Sequence, residues 1–587
     1  MSPRTTPERR LRRRSATRAV VASLAVVAVT GSLAAFGDDL WSAGALDVPA
    51  GEQVAVEART ATLVCPAPVT LADPGTTGDS EFGSTPVATA STLQVAAFGS
   101  ATTSVLSPLS TGSAAGPERT VQGADPSAYA LLEQSGSAEA VRSTTSAGDG
   151  SDTSASASSL TTSGDLRGLA AASCAAPGVD QWLVGGGTEL GSSSRLTLAN
   201  PSRTPATVTL ELWGPSGPID PAGPTTYLVP PGEQVSTLVE GLAAQQRGIV
   251  VRASSTGALV TATLQHSVLD GLTARGVDLV VAGEAPATAQ TLAGLTVEAS
   301  EIGDDDVASV RLLAPEGDAT ATIIVLGADG QRVLRGAQTA DLVAGTVTDV
   351  SLSGLPAGTY SVVVQSDAPV VAGAVTTQTG KADRDEPLLG TPVDRTWIAS
   401  QRGSATSPSS VVLPDGTQGT VSLVALPSEV DGSTELADQV PIVYDEESAA
   451  DAADDAAGDD ATEEPTADAT AGDPTSWEPS TLGTLEVYGT DGGLIVDQDV
   501  ELAVGQTTTV DLADLVESSA ARGDDDTEIG AVRFVPDPQA STVAAWVLTA
   551  RASGVTGAIS TLLPTVPSAA QDAIVVRRSP TVGLPRE

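Results

Sequence analysis

The sequence is poor in the side chains on which most catalysis depends. Its 587 residues include one histidine (His266), one lysine (Lys381) and two cysteines (Cys65 and Cys174). A Ser-His-Asp or Cys-His constellation would have to be built on His266 alone, which ends a predicted strand in Thr-Leu-Gln-His-Ser-Val. There is no Gly-x-Ser-x-Gly elbow. Gln378 stands three positions before Lys381, which excludes a Ser-x-x-Lys nucleophile. Zinc bound by His and Cys is excluded for want of ligands. Gly185-Gly186-Gly187 with Gly191 is no dinucleotide fingerprint, because no βαβ unit surrounds it. No cofactor and no resident metal is expected. Aromatic residues make up 3% of the chain, and 29 basic residues face 73 acidic ones, a formal charge of −44. With no basic stripe to neutralise phosphates, nucleic acid is excluded as a partner, as is docking on anionic lipid through charge.

What basic charge there is sits at the start. Seven arginines against Glu8 within the first 18 positions give about +6, so the remainder carries about −50. Residues 19–36, AVVASLAVVAVTGSLAAF, are uncharged, and Asp38 and Asp39 follow. A cationic start, an apolar run and an acidic flank mark 1–36 as a signal peptide or a signal-anchor. Ser32 and Ala34 stand at −3 and −1 of a candidate cleavage site that would release a chain from Ala35. An uncleaved segment would hold the protein to the membrane by its N-terminal helix. Both readings place the body outside the cytoplasm. There an even, minimal cysteine count favours one disulfide, Cys65 to Cys174, over free buried thiols or an intermolecular pair.

The body reads as all-β. Thr-Val-Thr-Leu-Glu-Leu-Trp (207–213), Thr-Ile-Ile-Val-Leu (322–326) and Tyr-Ser-Val-Val-Val (360–364) are β-branched runs bounded by turn clusters. Only 508–521 could carry a short helix. A strand ending in Gly-x-x-Gly recurs at Gly214, Gly327 and Gly489, where the glycines would turn hairpins. A strand, a polar turn and an apolar strand follow from Gly248, Tyr360 and Gly530. A third element, Val-Asp before an apolar strand, starts at Val179, Val277 and Val393. Units of about 100 residues with some seven short strands fit tandem immunoglobulin-like sandwiches. Propeller blades would need a period of about 40–50 residues, which is not present. The expected layout is a β-rich N-terminal module at 40–175, sandwiches at 178–275, 276–385 and 390–566, and a C-terminal tail at 567–587. Residues 107–168 hold few apolar side chains and are expected to form a flexible excursion. Residues 445–473 hold 12 acids in 29 and no base, and are expected to be a solvated insertion within the third sandwich.

The Arg-rich start, Thr-Leu-Val-Cys-Pro at 62–66, Trp182 with Gly185, Gly186 and Gly187, and Asn200-Pro201 before a Thr-Val-Thr-Leu strand together resemble an actinobacterial family of exported proteins of unknown function, DUF5719. The resemblance spans nearly the whole chain. It implies location and architecture, with no activity and no functional residue to carry over. The low Lys and high Ala content also suits a high-GC genome.

These features point to a non-enzymatic, exported cell-envelope scaffold, with an envelope protein or cell-wall glycan as partner. A glycan- or ligand-binding module assisting wall assembly is the alternative, and it requires Trp213, Trp397 or Trp546 to be exposed in a cluster. Trp213 and Trp477 are the candidates for exposed tryptophans. A glycoside hydrolase would need two carboxylates roughly 5–9.5 Å apart in a cleft. Asp304-Asp305-Asp306 and Asp524-Asp525-Asp526 offer oxygen ligands of the kind calcium takes but lack EF-hand spacing, and are read as solvated turns. Arg522-Gly523-Asp524 is read as a chance tripeptide.

Overall fold

The computed structural model describes residues 52–55, 59–71, 89–110, 117–145, 152–300, 304, 306–334, 338–382, 390–403, 407–427, 436, 440, 442–443, 479–519, 528–540, 542–566 and 573–576. The signal segment with Ala34 and Ala35, the acidic run 445–473, Asp305, Trp41, Trp477, and Arg522 through Asp526 lie outside the described residues. So does the tail, apart from one strand. The chain forms two units. In the smaller, Met1–Val56 with Gln571–Glu587, the strand Glu52–Ala55 pairs antiparallel with Ala573–Val576.

The larger unit, Glu57–Ala570, is all-β. Among its described residues there is one α-helix, Leu512–Ser519, where 508–521 was expected. Asp511 starts it, its carboxylate accepting from the Ala513 and Asp514 N–H groups. Four sandwiches, each a pair of sheets, make up the unit. The first packs Arg59–Cys65, Glu139–Thr145, Thr103–Pro108 and Arg119–Gln122 over Ser127–Glu133, Thr89–Phe98, Asp152–Thr161 and Gly168–Ser173. The second packs a sheet centred on Ala206–Gly214 and Val250–Thr256 over one made of Glu233–Leu238, Ser192–Asn200, Thr261–Asp270 and Thr273–Val280. The two sheets of the third share one long strand, Gly358–Thr379. Its first half pairs with Ala319–Gly327, its second with Ser309–Leu313 and Val393–Ala399. The fourth packs Ser409–Val412, Ile529–Pro536, Ser480–Gly489 and Leu494–Leu502 over Thr507–Asp511, Thr417–Pro427, Thr542–Ala552 and Ile559–Leu562. Each has its own apolar core between its sheets, built largely of Leu, Val, Ile and Ala.

Two of the sequence repeats are structural repeats. Gly214 pairs with Gly217 and Gly327 with Gly330 at hairpin ends, and the Gly489 N–H donates to the Gly493 carbonyl. The strand-turn-strand element crosses from one sheet to the other in the second, third and fourth sandwiches. The first sandwich repeats that crossing with Glu139–Thr145 and Asp152–Thr161.

Three expectations need correction. Residues 107–168 are no flexible excursion: their described part is four strands and the start of a fifth, and Asp152–Thr161 is buried along nearly its whole length. Small side chains hide this strand from a hydropathy reading. Its hydroxyls find partners across the sheet: Ser158 with Thr92 at 3.0 Å, Ser159 with Ser91 at 2.9 Å and Thr161 with Thr89 at 2.8 Å. The Val-Asp element also does not open each unit. Thr273–Val280 pairs with Thr261–Asp270, and Val393–Ala399 with Gly358–Thr379. Both are therefore last strands, and they carry the second and third sandwiches past the expected ends at 275 and 385. Val179-Asp180, exposed at the start of a first strand, Asp180–Val184, is not equivalent to them.

Candidate functional site

The last strands of the four sandwiches meet. Gly168–Ser173, Thr273–Val280, Val393–Ala399 and Ile559–Leu562 pack side by side in a closed circuit, each against the next. Their backbones are not paired with one another in a sheet, so buried N–H groups need other acceptors. Two fully buried aspartates supply them. The carboxylate of Asp394, from the third sandwich, accepts from Leu169 N–H of the first at 2.8 Å. It also accepts from Val277 N–H of the second at 3.2 Å and Ile559 N–H of the fourth at 3.0 Å. One side chain thus bonds all three other sandwiches. Asp278, from the second, accepts from Trp397 N–H at 2.7 Å and from the Ser560 hydroxyl at 2.9 Å, and Ala171 N–H donates to that same hydroxyl oxygen at 3.0 Å.

Local sequence allows this approach. Gly168 holds φ +151°, and a Cβ there would lie 2.4 Å from the Asp394 carboxylate. Burial pushes the Asp394 carboxyl up to about 7, against the pull of its N–H donors. Burial also raises Asp278 well above the ordinary range. Beside this hub, Arg395 donates to the Arg275 carbonyl at 2.7 Å, and Arg275 is ion-paired with Asp306.

His266 lies between the second and third sandwiches. The Trp397 indole N–H, which can only donate, reaches His266 Nδ1 at 3.2 Å. Nδ1 is therefore the acceptor, and Nε2 carries the proton that it gives to Ser192 Oγ at 2.9 Å. Burial, with Arg395 and Arg311 nearby, holds His266 well below its ordinary pKa. In this tautomer His266 cannot take a proton from Ser192, as a serine nucleophile requires.

Cys65 and Cys174 form the expected disulfide, 109 residues apart and buried in the core of the first sandwich. Such a bond fits an oxidising, extracytoplasmic compartment. Trp213 is not exposed: it is buried and stacked on Trp182 at 5.3 Å between ring centroids. Trp397 and Trp546 are buried as well. These three therefore form no aromatic face for a glycan. Asp306 is taken up by Arg275, and Arg395 approaches it at 3.8 Å. Among the described residues no group of three or more His, Cys, Asp or Glu side chains could hold a metal ion. Nor, among them, is any helix long and apolar enough to cross a membrane.

The Trp-Gly-Gly-Gly stretch has a packing role. The Gly186 carbonyl accepts from buried Arg311 of the third sandwich at 2.6 Å, and a Cβ on Gly185 would lie 2.7 Å from the Trp397 ring. Sequence reasoning missed Asp278 and Asp394 as a pair. Their Val-Asp repeat was the available signal, but nothing in the sequence separates a buried acid from an exposed one.

The model of a family of unknown function, DUF5719, matches residues 130–441. The chain belongs to the DUF5719 family. The match takes in the second and third sandwiches and both hub aspartates. No curated protein matches the chain. Among solved structures, trypsin-activated alpha-2-macroglobulin from Escherichia coli is 10% identical with a TM-score of 0.09, too low to carry an argument. That alignment covers 91% of this chain, which spans 43% of the solved chain.

Proposed function

We propose that this protein is a non-enzymatic, exported scaffold of the cell envelope, presenting the outer surfaces of four sandwiches fixed around one hub. The observation that carries the reading is the use of the buried ionisable groups. Asp394 and Asp278 are spent on backbone and hydroxyl donors from other sandwiches, and His266 on Trp397 and Ser192. Groups so engaged hold surfaces in fixed relation and are not poised toward solvent. The buried disulfide and the arginine-rich, apolar start support export. The partner is an envelope protein, with the membrane as a second contact if the N-terminal segment is retained.

Cross-linking in intact cells, followed by recovery of the full-length chain, tests this. Reproducible capture of an envelope protein is the expected outcome. Capture of wall glycan alone would move the reading to a glycan-binding module, and recovery of the chain without a partner would overturn the scaffold role. Mass spectrometry of the mature N-terminus decides the anchor: a start at Ala35 rejects it.

A further inference from the structure

The circuit of sandwiches closes where the first meets the fourth, and this contact contains an ionisable group with no partner. Asp152 begins the strand that pairs with Thr89–Phe98, opposite Phe98. Its side chain is buried, and neither carboxylate oxygen has a hydrogen-bond partner. The surroundings come from both sandwiches. Phe98 of the first meets Tyr488 of the fourth edge-on at 5.2 Å, and the Arg533 guanidinium lies over the Phe98 ring at 5.3 Å. The Tyr488 hydroxyl donates to Glu486 at 2.8 Å, and Arg533 stands 3.9 Å from the same carboxylate. Ala96 of the first packs with Val412 and Ala531 of the fourth in the same buried cluster, and two serines cross the contact: Ser154 donates to the Ser410 carbonyl at 3.1 Å, and Ser127 to the Gly492 carbonyl at 2.9 Å.

A carboxylate taken from water without a donor costs free energy in its charged form and much less in its neutral form. The charged groups acting on Asp152 are Arg533, which favours ionisation, and Glu486, which opposes it. Tyr129 and Tyr488, each held above the ordinary tyrosine range by burial first, stay neutral at physiological pH. Asp415 and Glu528 act on Tyr129. On its own sheet Asp152 faces only uncharged Phe98. Arg533 is shared with Glu486 and Tyr488, so it compensates Asp152 only in part.

We propose that Asp152 is a pH-responsive latch between the first and last sandwiches, tightening the closed circuit in mild acid and loosening it at neutral and alkaline pH. The direction follows from linkage. Burial raises the Asp152 carboxyl to about 6 in the closed state, and an opened contact would return it to the ordinary value of about 3.9. The closed state then binds the proton more tightly, so closure is favoured as pH falls through about 6 and weakened as pH rises through it.

Hydrogen exchange of the full-length protein between pH 7.5 and 5.5, corrected for intrinsic exchange, is the test. The hub aspartates also titrate in this range and act on both contacts of the fourth sandwich, so the readout is a difference. On acidification, protection of Ser154 and the Ser410–Val412 amides should rise about fourfold more in the wild type than in Asp152→Asn, which keeps the shape without the charge, as the two Asp152 pKa values require. Amides between the third and fourth sandwiches should respond to pH alike in both proteins. If that variant fails to fold, the rise at the first-fourth contact beyond that at the third-fourth contact of the wild type is the readout. Equal pH responses of the two proteins at the first-fourth contact, or no excess there over the third-fourth contact in the wild type, would each overturn the latch.

Discussion

The fourth sandwich touches two neighbours with different chemistry. Against the third it is apolar: Ala293, Ile324, Leu326 and Val363 pack on Val424, Leu426, Ala545 and Val547, all buried. Against the first, beside a smaller apolar cluster, it sets an aromatic pair, a shared arginine, serine hydroxyls and an unpartnered aspartate. The hub aspartates serve both contacts. Away from the hub the first contact is held by area removed from water, which pH does not alter. The second depends also on which of its groups are charged. Outside the shared hub, neighbours in the chain are thus joined by a contact indifferent to pH, while the contact that joins the two ends of the unit can respond to it.

The largest change should come from reducing or removing the disulfide. Closing a loop of 109 residues is worth on the order of 4–5 kcal/mol in the chain-entropy model. The double change Cys65→Ala, Cys174→Ala should loosen the first sandwich and release its contact with the fourth first. Limited proteolysis should cut within 59–175 while the third-fourth contact stays protected, and simultaneous loss of both would reject this order.

Asp394→Asn comes next. The amide replaces one carboxylate oxygen by a donor, which then faces either the Val277 N–H or the Leu169 and Ile559 N–H groups, at about 2–4 kcal/mol for the bonds lost and donors left buried. Because the hub is common to both contacts, both should weaken together in denaturant melts. A loss confined to one would show that the hub is not shared.

Leu326→Ala should cost about 2–4 kcal/mol through the cavity it opens, by the same amount at pH 5.5 and 7.5. A pH-dependent loss would remove the distinction between the two contacts.

The smallest effect concerns His266. Its folded pKa lies below the unfolded value of 6.5, so the folded state binds fewer protons there. Its contribution is complete above 6.5 and is lost as pH falls below, by about 1 kcal/mol between 6.5 and 5.5. This opposes the trend set by Asp152. His266→Gln can still accept from Trp397 and donate to Ser192, and should flatten the acid limb of a denaturation-midpoint profile. An unchanged limb would assign it elsewhere.

Much of the fold was legible. The hairpins at Gly214, Gly327 and Gly489 and the crossings after Gly248 and Gly530 carry period-two apolar strands between turns, a local pattern. Asp152–Thr161 was not legible, because a strand of Ser, Thr and Ala is buried by what lies across it and not by its own hydropathy. The hub was half legible: the repeat of Val277-Asp278 and Val393-Asp394 was visible, but its place at the ends of sandwiches was not.

By itself the sequence determined the all-β class, the scarcity of nucleophilic and metal-binding side chains, and the pair of cysteines available to cross-link. Those properties reside in composition and in short spacings along one chain. Only the tertiary structure decided that Asp394 gathers N–H groups from residues 117 to 225 positions away, that four tryptophans are buried, and that Asp152 has no partner. The physical reason is that burial and pairing belong to the neighbours folding brings together. Identical Val-Asp dipeptides therefore become an exposed strand start in one place and a buried hub in another.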